Sequence, residues 1–256
     1  MADALIGSSG FVGGTLLRHT RFDRLYRSTN IEEIRGQTYD LLVCAGAPAE
    51  KWKANQNPAR DLANLERLMS CLSEVRAAHV ILVSTVDVYG VPVGVDEHTV
   101  VHPSDATAYG QHRFALEEFV RARFETTCLR LPGLFGVGLK KNIIFDLLHN
   151  HALGAICPES VFQFYDLERL WRDATTARDC GLSLVNLAVE PVSVADVASV
   201  GFERNFENPD AGAPVRYDMQ TRYAHEMGGR GRYLMSREEV LAAIRRFVLA
   251  WQAGHR

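Results

Sequence analysis

The chain has 256 residues, 47% of them apolar and 23% charged, with a formal charge of −3. That is ordinary globular composition, long enough for one α/β domain or a domain plus a lobe. The charge gives no reason to expect nucleic acid or an anionic membrane as partner. Cys44, Cys71, Cys128, Cys157 and Cys180 are odd in number and widely spaced, with no CxxC pair and no metal-like cluster with histidine. No metal is expected, and the thiols read as buried and reduced in a cytoplasmic protein. The first residues hold no basic segment followed by an apolar core, and no run of about twenty apolar residues exists, so neither a secretion signal nor a transmembrane helix is expected.

In chain order, the apolar run Ala4-Leu5-Ile6 stops at Gly7-Ser8-Ser9-Gly10-Phe11-Val12-Gly13, and Thr15-Leu16-Leu17 follows. The pattern predicts a buried strand, a tight turn and a helix over about 12–19. Gly7 allows a conformation closed to other residues, Gly10 lets a pyrophosphate approach the main chain, and Gly13 lets helix and strand pack closely. The first-turn amides and the helix dipole would then face phosphate. A plain strand-to-helix turn is the alternative, because the fingerprint carries weight only in a βαβ context.

Phe22 to Tyr26 reads as a short strand ending at Arg27 and Ser28. An acidic side chain there would bind a ribose diol, whereas Arg27 and Ser28 suit a 2′-phosphate, hence NADP in preference to NAD. A solvated arginine at a strand end is the alternative. Tyr39 to Ala47 reads as a buried strand whose small terminal residues, Ala45, Gly46 and Ala47, leave room for a cofactor or simply pack closely. Pro48 to Asn57 reads as a polar loop. Pro58 opens an amphipathic helix expected over 59–77, with Leu62, Leu65, Leu68, Met69 and Leu72 on one face.

Val80 to Val83 reads as the next strand and runs into Ser84-Thr85-Val86-Asp87-Val88-Tyr89-Gly90, at the strand end where an open parallel sheet places its ligands. A helix over about 108–124 carries Tyr109 and Arg113, and Thr127 to Leu131 reads as another strand. Helices are expected over 142–149, 167–177, 194–200 and 237–250, and a strand over 184–187. The three tryptophans and the run 162–165 read as core, and His112 as solvated. Lys140, Lys141 and Asn142 follow a glycine turn, where two cations and a helix start could hold a diphosphate; a charged helix start is equally ordinary.

Three features fall in one order: the Gly7, Gly10, Gly13 loop; Ser84-Thr85 leading to Val88-Tyr89-Gly90; and Tyr109 with a cation four residues on. With Asp40 to Ala47, Pro58 to Asn64, Arg130-Leu131-Pro132-Gly133-Leu134-Phe135-Gly136, Phe162 to Leu167, and Asn186 with Val192 to Asp196, the sequence resembles the extended short-chain dehydrogenase/reductase family over nearly its whole length. The resemblance implies a Rossmann-type α/β fold: a doubly wound parallel sheet over 1–135 that binds a dinucleotide, and a small C-terminal substrate lobe over 136–256 threaded back onto the core. It implies an NAD(P)-dependent oxidoreductase or epimerase acting on a small molecule, a sugar or nucleotide sugar, and a homodimer.

It also implies roles. Tyr109 would exchange a proton with a substrate hydroxyl or carbonyl. Thr85, or failing it Ser84, would hold the substrate oxygen, and Asn64 would support the site from its helix. Leu131 and Pro132 would border the cofactor. Arg113 stands where the family has lysine. A cation there is expected to lower the phenol from its reference value of about 10, though a guanidinium fork cannot copy the position of an ammonium. Family dehydratases carry an Asp-Glu pair where this chain has Val86-Asp87, which disfavours elimination and leaves Asp87 as a substrate contact or a cap. A dinucleotide-binding sensor or interaction protein without turnover is the rival reading.

Overall fold

The computed structural model describes residues 2–254. Six parallel strands form one sheet in the order Leu184–Asn186, Thr126–Leu131, β4 (Arg76–Thr85), β3 (Thr38–Cys44), β1 (Asp3–Ile6) and β2 (Arg24–Tyr26). The chain therefore steps outward from β1 to β2, then reverses to the other side of β1. That reversal puts the ends of β1 and β3 side by side, the crevice in which doubly wound sheets bind ligands.

Strand periodicity explains how both faces become core. Successive side chains point to opposite faces. Leu42, Cys44, Val80 and Leu82 share one cluster with Leu65, Leu68 and Leu72 of α3 (Pro58–Leu72) and with Leu116 and Val120 of α4 (Ala108–Arg123). The intervening Val43, Ile81 and Val83 border one small apolar space with Leu16 of α1 (Phe11–His19) and Leu170, Trp171 and Ala174 of the helix Leu170–Asp179.

Several boundaries differ from the expectation. α3 stops at Leu72, and β4 begins at Arg76, because Arg76 and Ala77 pair with Thr38 and Tyr39. Sheet pairing prevails over the helical reading of 73–77. The stretch expected as a loop contains α2 (Lys51–Gln56). Trp52 on it is 54% exposed, so this tryptophan is not core.

Cα packing divides the chain into two compact units. The first runs to Val91 and adds Glu97–Leu131 and Arg169–Asn186. The second comprises Pro92–Asp96, Pro132–Glu168 and the chain from Leu187 on. Thus where the sequence pattern draws one boundary at 135, packing assigns a later strand and helix to the sheet unit. In the second unit, Gly133–Phe135 pairs with Phe164–Asp166, and Val161–Phe162 with Val192–Ser193. Buried Gln163 ties its segments by donating to Val189 O and Met219 O and accepting from Met219 N. Among the described residues, no helix is long and apolar enough to cross a membrane.

Candidate functional site

At the front of the sheet unit, Gly7 has φ +88°, and a Cβ there would collide with the Ala45 carbonyl oxygen. A Cβ at Gly13 would collide with the Gly7 carbonyl oxygen. Gly7 is thus fixed by the close approach of the β1 and β3 ends, and Gly13 by the packing of α1 on the turn. The Gly7 and Ser8 amides and the Ser8 hydroxyl are bonded to Tyr26 O. Gly10 caps α1 without a side chain, and Gly14 N is the first helical donor, to Gly10 O at 2.8 Å. The amides of Phe11, Val12 and Gly13 therefore lie in the turn whose donors lack helical acceptors. Ser9 and Gly10 are exposed, and Phe11 and Val12 half-buried. Gly46 is packed against the Ile6 side chain, with Ala45 and Ala47 half-buried beside it. This cradle, open on its main-chain side, fits a pyrophosphate.

Arg27 and Ser28, at the end of β2, are exposed. The Arg27 guanidinium has no partner among the described residues, while its amide is held by Asn30 Oδ1 at 2.8 Å. The Ser28 carbonyl accepts from Arg67 at 3.3 Å, and Arg67 in turn pairs with Glu32 at 2.7 Å. The end of β2 thus carries the exposed Arg27 side chain and, beside Ser28, the Glu32-paired Arg67.

Along the sheet edge, Thr85, Tyr109 and Arg113 come together. Thr85 ends β4; its hydroxyl accepts from Asp87 N at 3.2 Å and donates to Asp87 Oδ2 at 3.5 Å, with the Tyr109 phenol beside it. Tyr109 sits in the first turn of α4, its amide donating to Asn55 Oδ1 of α2 at 3.0 Å. One turn later, the Arg113 guanidinium lies over the Tyr109 ring, 3.9 Å from its centroid. Asp87 pairs with Lys51 of α2 at 2.7 Å.

Arg113 is 3% exposed and heavily engaged. Two of its nitrogens donate to Asp61 of α3, one at 2.9 Å, and one also donates to Pro48 O. Asp61, 5% exposed, also takes His112 Nδ1 at 2.7 Å. His112 is therefore paired rather than solvated. Asn64, expected to support the site, is exposed on α3; the side chain that α3 sends to the site is Asp61, three residues earlier.

The expected lowering of the Tyr109 phenol is not what burial allows. Burial pushes Tyr109 up, and although Arg113 pulls the other way, the result lies above the usual phenol range.

Ser84 turns away from this group. Its hydroxyl donates to Glu117, a fully buried carboxylate of α4 that takes Arg130 Nη2 at 2.6 Å. Arg130 reaches Tyr89 Oη at 2.8 Å, which in turn meets the Asn186 side chain. Leu131, beside Arg130, is buried, as is Pro132.

Lys140 and Lys141 are exposed in the second unit. Asn142 is occupied: its Oδ1 caps Phe145 N at 3.1 Å, and its Nδ2 donates to Leu134 O at 2.8 Å. The helix behind it, Ile143–His149, has seven residues and its first turn is closed by that cap. The expected phosphate cradle at Asn142 is thus a structural cap.

No family model and no curated protein matches this sequence. Solved structures do. MoeE5, in complex with UDP-glucose and NAD, superposes with a TM-score of 0.74 at 18% identity, covering 98% of this chain and 100% of that one. A UDP-glucose 4-epimerase from Thermotoga maritima with UDP-glucose gives 0.74 at 15% identity over 100% of both chains. RMD from Pseudomonas aeruginosa with NADPH gives 0.72 at 15%, covering 98% and 100%. The chain has the fold of the extended short-chain dehydrogenases/reductases. Identity this low speaks for the fold alone, and Arg113, where the resemblance implies a lysine, is paired with a carboxylate, Asp61, that sequence reasoning missed. Asp61 reads as an ordinary first-turn acid at a helix start, and only its burial beside Arg113 distinguishes it.

Proposed function

We propose that the protein binds a nicotinamide dinucleotide, NADP(H) in preference to NAD(H), and is an oxidoreductase or epimerase for a sugar or nucleotide-sugar carbonyl or alcohol. The observation that carries this reading is the meeting of the Thr85 hydroxyl and the Tyr109 phenol at the end of β4, on the same sheet edge as the Gly7–Gly13 cradle. Structural neighbours in complex with UDP-glucose and NAD and with NADPH support the class.

The phosphates would lie on the amides of Phe11, Val12 and Gly13, and a 2′-phosphate between Arg27 and Arg67. Arg113 fits the nicotinamide ribose on a separate ground: its Nε is buried and has no hydrogen-bond partner among the described residues. A buried donor left unpaired is costly, and a ribose hydroxyl would satisfy it. When bound, the nicotinamide supplies or accepts hydride. Thr85 would hold the substrate oxygen, and Tyr109 would exchange a proton with it through the phenol oxygen. Because the phenol is held protonated, proton donation to a carbonyl is the easier direction for this site. The dehydratase pair is incomplete at Val86-Asp87, and Asp87 is engaged by Lys51. Reduction, oxidation or epimerisation thus suits the site better than elimination.

The test is a fluorescence titration with NADPH and NADH in parallel, followed by turnover of nucleotide sugars by wild type and Tyr109→Phe. Tight NADPH binding by both proteins, with turnover by wild type only, is the expected result. Binding of neither cofactor rejects the reading. One observation favours a second reading, a dinucleotide sensor without turnover: the Arg113 charge is neutralised by Asp61. Tight NADPH binding with no turnover by wild type would support it.

A further inference from the structure

We infer that Asp61 is the positioning residue of the cofactor site, and that Asp61 and Arg113 act as one unit in place of a single lysine. The inference rests on the dinucleotide reading above and goes beyond it in assigning a role to a residue of α3.

A guanidinium has five N–H donors in a rigid fork. In Arg113 the terminal nitrogens are engaged by Asp61, Pro48 O and, at 3.4 Å, Tyr109 O. These contacts leave one donor, Nε, without a partner. They also fix the plane of the group over the Tyr109 ring. Asp61 is itself held: it is buried, and His112 Nδ1 is its second donor. The carboxylate therefore does two things. It balances a charge that would otherwise be buried alone, and it sets the direction of the single free N–H. An ammonium, with three donors on a flexible stem, needs no such holder and would be drawn onto Asp61 instead. The exchange of lysine for arginine at 113 is thus coupled to the acid at 61.

The coupling is tested by NADPH fluorescence titration of four proteins: wild type, Asp61→Asn, Arg113→Lys and the double variant, with thermal melts by circular dichroism alongside. Loss of a hydrogen bond to a charged group is worth roughly tenfold or more in affinity. Asp61→Asn should weaken NADPH binding by about tenfold or more, because the fork is no longer held. Arg113→Lys alone should also weaken it. The double variant should bind more tightly than either single variant, since an asparagine at 61 no longer captures the ammonium. A purely structural ion pair predicts instead that the melts shift while NADPH affinity stays near wild type in all three variants.

Wild-type affinity in Asp61→Asn, or a double variant no better than the singles, overturns the inference while leaving the dinucleotide reading standing. Failure of wild type to bind either cofactor overturns both. If Asp61→Asn does not fold, Arg113→Lys against the double variant decides alone: tighter binding by the double supports the coupling, and equal or weaker binding overturns it.

Discussion

Tyr109, Arg113 and Asp61 show how buried neighbours set one another's chemistry. Burial alone would raise the Asp61 carboxyl, but hydrogen bonds from Arg113 and His112 outweigh it and hold the group below the usual carboxylate range. A carboxyl lowered in the folded state contributes stability that is present above its unfolded value, about 4, and lost as pH falls through the folded value. The melting temperature of wild type should therefore exceed that of Asp61→Asn at neutral pH, with the gap closing as the pH drops below about 4. A gap unchanged on acidification would mean that Asp61 holds Arg113 by shape rather than charge. Of this group, Thr85 and Tyr109 were legible because their residue types and order carry the family resemblance. Asp61 and the pairing of His112 were not, because an acid in a first helical turn and a histidine near a helix start are ordinary on a surface. Only the crossing of α3 and α4 turns them inward.

At the scale of elements, α4 serves two masters. Its first turns present Tyr109 and Arg113 to the sheet edge, and its middle presents Leu116, Glu117 and Val120 to the core. Glu117 completes a buried network with Ser84, Arg130, Tyr89 and Asn186, which joins α4 to three strand ends. The sequence showed Tyr89, Arg130 and Asn186 as separate motifs; Glu117, a charge in an amphipathic helix, reads as solvated, so the connection was invisible. Breaking one side of a buried ion pair strands the other, at a cost of about 3–5 kcal/mol. Glu117→Gln should lose stability on that order in urea unfolding, with Arg130 left buried and uncompensated. A loss below about 1 kcal/mol, the scale of an exposed pair, would show that the network is wet. The helix α2 escaped notice for a different reason. Its six residues, Lys51 to Gln56, carry no apolar repeat beyond buried Ala54, and its role is polar: Lys51 to Asp87, Asn55 to the Tyr109 amide.

For the whole molecule, the sheet was readable because parallel strands buried on both faces appear as continuous apolar runs. The second unit was less so: its strands are two or three residues long, too short for any period to register. The two units bear on how ligand and stability are linked. A ligand that binds only the folded state stabilises it by mass action, about 2.7 kcal/mol at a hundredfold excess over Kd. At about 2–4 °C per kcal/mol for a chain of this size, NADPH at that excess should raise the melting temperature by roughly 5–10 °C. Tyr109→Phe should show the same rise, because the proposed role of the phenol oxygen is in proton exchange and not in holding the phosphates. NADH at equal concentration should give less, since Arg27 and Arg67 have no 2′-phosphate to meet. If calorimetry resolves two transitions, the shift belongs to the unit that carries the Gly7–Gly13 cradle, with the other following only as far as the two unfold together. An NADPH shift no larger than that of NADH would remove the arginines from the specificity argument while keeping the cradle. No shift with either would leave the glycine turn as a turn.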